Sequence, residues 1–140
     1  MRNTIKTILY LLTILLTFQT FSIAQSIELT DSEVERFLCK KWVIQYMDMQ
    51  GMKIAPQEGA EFIFLFQKDG SFEMLPNNEL DPNPEMKWVY SKENKSIRLY
   101  ESDRLIGKIL ELKEDKFVMD FESTEDMPME GMKGHFKPAV

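Results

Sequence analysis

Two heptapeptides hold the side chains best suited to chemistry. Met47-Asp48-Met49-Gln50-Gly51-Met52-Lys53 and Met127-Pro128-Met129-Glu130-Gly131-Met132-Lys133 both read Met-x-Met-x-Gly-Met-Lys. Thioethers are soft, neutral ligands that suit Cu(I), and His135 follows closely after the second segment. Met47, Met49, Met52, Met127, Met129, Met132 and His135 therefore form one candidate metal set. The same residues also have a mechanical reading, because methionine is flexible and fills irregular gaps or covers the mouth of a fold.

Other chemistry is thinly supplied. His135 is the only histidine and Cys39 the only cysteine. Their separation matches neither zinc-ligand nor hydrolase spacing. Gly-rich phosphate loops, Gly-x-Ser-x-Gly and His-Glu-x-x-His are missing from the sequence. The expectation is a non-enzyme without a cofactor. His135 is expected to face solvent from a strand. Cys39 cannot form an internal disulfide and is expected in the core, with an intermolecular bridge or a reactive thiol as the other readings.

The elements that must position these residues begin after an export signal. Arg2 and Lys6 precede an apolar run over residues 7–18, and Ser22-Ile23-Ala24 supplies the small residues of a cleavage site. Residues 1–24 thus read as a signal peptide, and the run is too short to span a bilayer comfortably. Gln25 follows the cut, where lipid attachment would need a cysteine. A soluble protein in the periplasm or the medium is expected. Residues 25–140 then form a single domain with no membrane span, carrying 15 basic against 23 acidic residues, a formal charge of −8. An acidic surface of this kind repels phosphate backbones and anionic lipids, so nucleic acid is excluded as a partner. The expected state is a monomer.

Thr30-Asp31-Ser32-Glu33 has the form of a capping box, with Val34, Phe37 and Leu38 on one face behind it. A short helix is predicted over 31–39. Alternating and β-branched or aromatic runs then predict eight strands at 42–49, 61–66, 71–75, 86–91, 96–101, 105–112, 116–121 and 131–137. Asp69-Gly70, Lys92-Glu93-Asn94-Lys95 and Lys113-Glu114-Asp115 mark tight turns. Residues 76–85, with Pro76, Pro82 and Pro84, mark a loop. Eight strands joined this way leave two open edges unless the sheet closes on itself. The predicted fold is all-β, an eight-stranded antiparallel up-and-down barrel with a short N-terminal helix. A flattened sandwich of the same strands is the alternative. In the barrel the first and last strands are neighbours, which brings the two Met motifs to one rim.

Three stretches carry a family resemblance. Leu38-Cys39-Lys40-Lys41-Trp42 leads a short helix into a strand-opening tryptophan. Phe64-Leu65-Phe66-Gln67-Lys68-Asp69-Gly70-Ser71-Phe72 turns an aromatic strand at Asp-Gly. Trp88-Val89-Tyr90-Ser91-Lys92-Glu93-Asn94-Lys95-Ser96-Ile97-Arg98-Leu99 joins a Trp-x-Tyr strand to an Ile-x-Leu strand. In this order they resemble the small bacterial lipocalin-like domains of exported proteins, over roughly residues 30–121. The resemblance implies an up-and-down barrel and a cavity for a small apolar molecule.

Parity along the strands supplies the candidate lining: Trp42, Phe62, Phe64, Phe66, Phe72, Met74, Trp88, Tyr90, Phe117, Met119 and Phe121. A pocket needs such a wall plus a few polar groups, for which Tyr90 or a Trp N–H are candidates. The same bulk can also fill a small barrel completely. A solid barrel would instead act through a partner protein, with the acidic 75–85 loop and its Asp81 and Glu85 as the contact surface.

Overall fold

A computed structural model describes residues 26–76, 85–125 and 128–140. The expected leader, most of the 76–85 loop with Asp81, and Met127 lie outside the described residues.

The capping box forms as the sequence predicts. Thr30 accepts the Glu33 N–H at 3.2 Å, and the Glu33 carboxylate accepts the Thr30 N–H at 2.9 Å. Together they start helix α1 (Asp31–Leu38), whose Val34 and Leu38 are buried. These bonds hold the Glu33 carboxyl below its usual range, since they favour the charged form.

Among the described residues nine strands follow: β1 (Lys41–Met49), β2 (Met52–Ile54), β3 (Phe62–Phe66), β4 (Phe72–Pro76), β5 (Met86–Ser91), β6 (Ser96–Glu101), β7 (Arg104–Leu112), β8 (Phe117–Phe121) and β9 (Met132–Pro138). All pairings are antiparallel, in the order β4-β3-β1-β9-β8-β7-β6-β5. Successive strands of these eight pair with one another except β4 with β5, and β1 pairs with β9. This is the predicted up-and-down barrel, nearly closed. Its seam lies between β4 and β5, where one Ser71–Lys87 bridge and the Trp88 N–H to Gly70 carbonyl bond (2.8 Å) join the edges. The sequence reading missed β2, which pairs only with β1 and extends one rim.

Register sorts the side chains into an inner and an outer face. The inner rows at one end interlock as rings. Phe117 stacks on Phe136 at 4.2 Å and meets Trp42 edge-on at 4.9 Å, while Phe66 and Phe72 stack at 5.4 Å. All five are essentially without exposed surface, as are Leu38, Ile97, Leu99 and Ile109. Helix α1 and the arm before it close this end, which is the base of the barrel. Ile27 is buried there, and its N–H donates to the Lys95 carbonyl at 2.8 Å. Trp42 Nε1 donates to the Leu38 carbonyl at 2.9 Å, tying helix to strand.

Two inner positions must be glycine. A Cβ on Gly134 would lie 2.6 Å from Phe136 Cε2 and 2.9 Å from Phe121 Cε2. At Gly107 it would meet the Met119 side chain and, at 3.0 Å, the Asp120 carbonyl oxygen. Removing two side chains from the wall thus makes room for neighbouring large ones.

Candidate functional site

The end opposite the base is built differently. A bulge on β1 precedes it: Ile44 pairs with Phe136, but Tyr46 pairs with His135, leaving Gln45 extra. One extra residue inverts the alternation. Trp42 and Ile44 face inward before the bulge; Met47 and Met49 face inward after it. Strict alternation through Gln45, with no bulge, would point the two methionines to the outside.

The motif segments meet as the barrel topology requires. Met49 pairs with Met132 across β1 and β9, and with Met52 across β1 and β2. Each repeat closes a tight turn. Gln50 and Gly51 both have positive φ, 52° and 88°, the form that hairpin turns favour, and Asp48 Oδ1 accepts the Gly51 N–H at 2.8 Å. In the second repeat the Met132 N–H donates to the Met129 carbonyl at 2.9 Å around Gly131, whose φ is 74°. Met-Gln-Gly-Met and Met-Glu-Gly-Met are therefore two four-residue turns, each with methionine at both ends. They lie side by side, since a Cβ on Gly131 would stand 4.0 Å from Gln50 Cγ.

His135 does not join them. It lies on the outer face, stacked on Tyr46 at 4.3 Å, with the Lys53 ammonium 4.9 Å from the Tyr46 ring centre. Met132 and His135 are an odd number of residues apart on one regular strand, so they fall on opposite faces. This corrects its inclusion in the metal set, and the spacing already held the signal. Partial burial lowers the His135 pKa by penalising the imidazolium.

The predicted lining separates into two groups. Trp42, Phe64, Phe66, Phe72, Phe117 and Met119 are buried and packed together in the lower barrel. Met74, Trp88, Tyr90 and Phe121 are half-buried against that cluster. Phe62, inward by parity, is 49 % exposed because it ends its row at the open rim. The polar handles are already engaged. Trp88 Nε1 donates to the Gln67 carbonyl at 2.9 Å, and the Tyr90 hydroxyl donates to the Ile27 and Leu29 carbonyls. The donor protons of both are thus engaged within the chain.

Unburied apolar surface gathers instead at the open end. Met49, Met52 and Ile54 are 42, 67 and 44 % exposed, beside Phe62, with half-buried Met47, Ile44 and Phe121 lower on the same inner face. The sequence reading missed Ile54, because three residues of β2 are too few to show alternation.

Two other features lie elsewhere. A half-open groove of about 300 Å³ runs along the outer face between Lys41, Val43, Glu61, Ile63, Lys137 and the last three residues. Cys39 caps α1 and is half-exposed, not part of the core. Burial, with Glu35 nearby, raises its pKa. Glu85 receives the Ser102 hydroxyl and its carbonyl accepts the Ser102 N–H at 2.9 Å, so it is committed within the chain. Among the described residues there is no cluster of three or more His, Cys, Asp or Glu placed to hold a metal. None of their helices is long and apolar enough to cross a membrane.

Fold and site together define a small up-and-down β-barrel with a sealed aromatic base and an apolar, methionine-edged open end. Comparison of the chain with protein-family models, curated proteins and solved structures finds no match in any of the three.

Proposed function

We propose that this chain is an exported, non-catalytic binding protein for a small apolar molecule, of the lipocalin-like kind, acting in the periplasm or the medium. The guest seats at the open end and not in the lower barrel. One observation carries this reading: inner rows that end in sealed rings at the base end in exposed apolar side chains at the rim. Soluble proteins rarely leave contiguous apolar surface uncovered without a use for it. Half-buried Met47, Ile44, Met74 and Phe121, on the inner face under that rim, supply apolar surface of the kind that takes an apolar guest. Export is supported by Arg2, Lys6, the apolar run and Ser22-Ile23-Ala24.

The test is a fluorescence titration with the neutral dye N-phenylnaphthylamine on protein purified from its own host without detergent. Saturable binding at one site is expected, displaced by a long-chain alcohol. Replacing Phe62 and Ile54 by serine removes apolar contact of about 1.5–3 kcal/mol per buried side chain. The double variant should therefore bind about tenfold more weakly or worse. Failure of the dye to bind, or equal binding by the variant, would overturn the reading. Native mass spectrometry of the same preparation would identify any co-purified organic guest.

A further inference from the structure

We infer that the two Met-x-Gly-Met turns form a site for Cu(I). The site shares the open end with the proposed apolar guest, but it rests on sulfur and not on apolar area, so the two readings stand or fall separately.

The repeat has a structural purpose that its sequence alone does not reveal. In each turn glycine takes the positive φ that brings the methionine before it and the methionine after it together. One turn presents Met49 and Met52, the other Met129 and Met132. Pairing of β1 with β9 sets Met49 opposite Met132, so Met52, Met49 and Met132 form a row across three adjacent strands on one face. Neighbouring strands lie about 4.8 Å apart, and three rotatable bonds let each thioether swing toward a shared point. Met129, half-buried, stands at the start of the second turn as the fourth donor.

The surroundings select a soft ion. Asp48, Lys53 and Lys133 form the cross-strand set on the opposite face of the same three strands. Asp48 is further committed to the Gly51 N–H at 2.8 Å. The row thus offers sulfur and no carboxylate of its own. Neutral thioethers bind Mg²⁺, Ca²⁺ or Zn²⁺ poorly and Cu(I) well. No redox step is involved: the ion binds as Cu(I) and leaves as Cu(I).

The test is an anaerobic titration of the protein with Cu(I) against the chromophoric chelator bicinchoninate. The expected result is one equivalent removed from the chelator, with only sulfur neighbours in the copper X-ray absorption spectrum. The variant Met49→Leu, Met52→Leu, Met129→Leu, Met132→Leu keeps the apolar rim but removes every thioether of the site. It should bind Cu(I) at least a hundredfold more weakly while retaining the native circular dichroism. Met74→Leu, lower in the barrel, should leave the Cu(I) affinity unchanged. A wild-type chain that takes no copper from the chelator, a copper shell of nitrogen or oxygen, or equal copper affinity in the fourfold variant would overturn the inference. A wild-type chain that takes copper but not the dye would overturn only the apolar-guest reading.

Discussion

Phe117 and Phe136 lie face to face, their ring centres 4.2 Å apart and their planes 11° from parallel. They come from adjacent strands and pair directly in register. Phe117 also meets Trp42 and Phe66 edge-on. It is therefore the centre of the base. Phe117→Ala should cost about 3–5 kcal/mol, the range for deleting a buried aromatic ring. The measurement is the urea unfolding midpoint followed by tryptophan fluorescence. A loss below 1 kcal/mol would mean that the base is not sealed as described.

Gly134 faces inward where two rings need its space. Gly134→Ala would place a methyl within 3 Å of both Phe136 and Phe121. Aromatic rings cannot yield as a flexible side chain does, so the strand must shift. A destabilisation of about 1–3 kcal/mol is expected. Thermal unfolding reads it directly, and a neutral result would place Phe121 elsewhere.

The Tyr90 hydroxyl ties the arm before α1 to the barrel through the Ile27 and Leu29 carbonyls. Tyr90→Phe leaves the ring and removes the tie, at about 0.5–1.5 kcal/mol. The more telling readout is hydrogen exchange. The Ile27 amide, bonded to the Lys95 carbonyl, should lose protection while those of β8 keep theirs. Uniform loss across the barrel would count against a local anchor.

Acidification should weaken the fold partly through His135. Its folded pKa lies below the ordinary value of about 6.5, so the unfolded chain binds the proton more readily. This contribution is full above the unfolded pKa and is lost as pH falls through it toward the folded value. Asp48 and Glu111 favour the imidazolium, while Lys53 and Lys116 oppose it, and burial decides the direction. Urea midpoints measured at about pH 7.5 and about pH 5 should fall less in His135→Gln than in the parent. Equal falls in the two proteins would assign the pH dependence to carboxylates alone.

Much of this fold was legible from local chemistry. The capping box at Thr30 and Glu33, the Asp69-Gly70 turn and the alternation of Phe64 with Phe66 each specify structure within a few residues. The pairing of the Met motifs followed from closure of the sheet. The failures share a cause, which is geometry set by partners distant in sequence. The Gln45 bulge, which turns Met47 and Met49 inward, leaves no mark in the sequence of β1. β2 depends on Gln50 accepting a positive φ that its residue type does not favour. Core and rim were indistinguishable because Phe62 and Phe66 have the same chemistry and parity; only position along the strand separates them.

The pairing of β1 with β9 also sets a clock. Trp42 is the second residue of the first strand, yet its register partner is Pro138 in β9, and the Ala139 N–H donates to the Lys41 carbonyl at 3.0 Å. Hairpins β3–β4 and β5–β6 can form as soon as their residues are made. The barrel cannot. Trp42 finds its edge-on partner Phe117 and its sheet neighbour β9 only after the intervening strands have been synthesised, so closure is a long-range event. Until then the first strand waits with one edge unpaired, and the barrel stays open for as long as β9 is withheld.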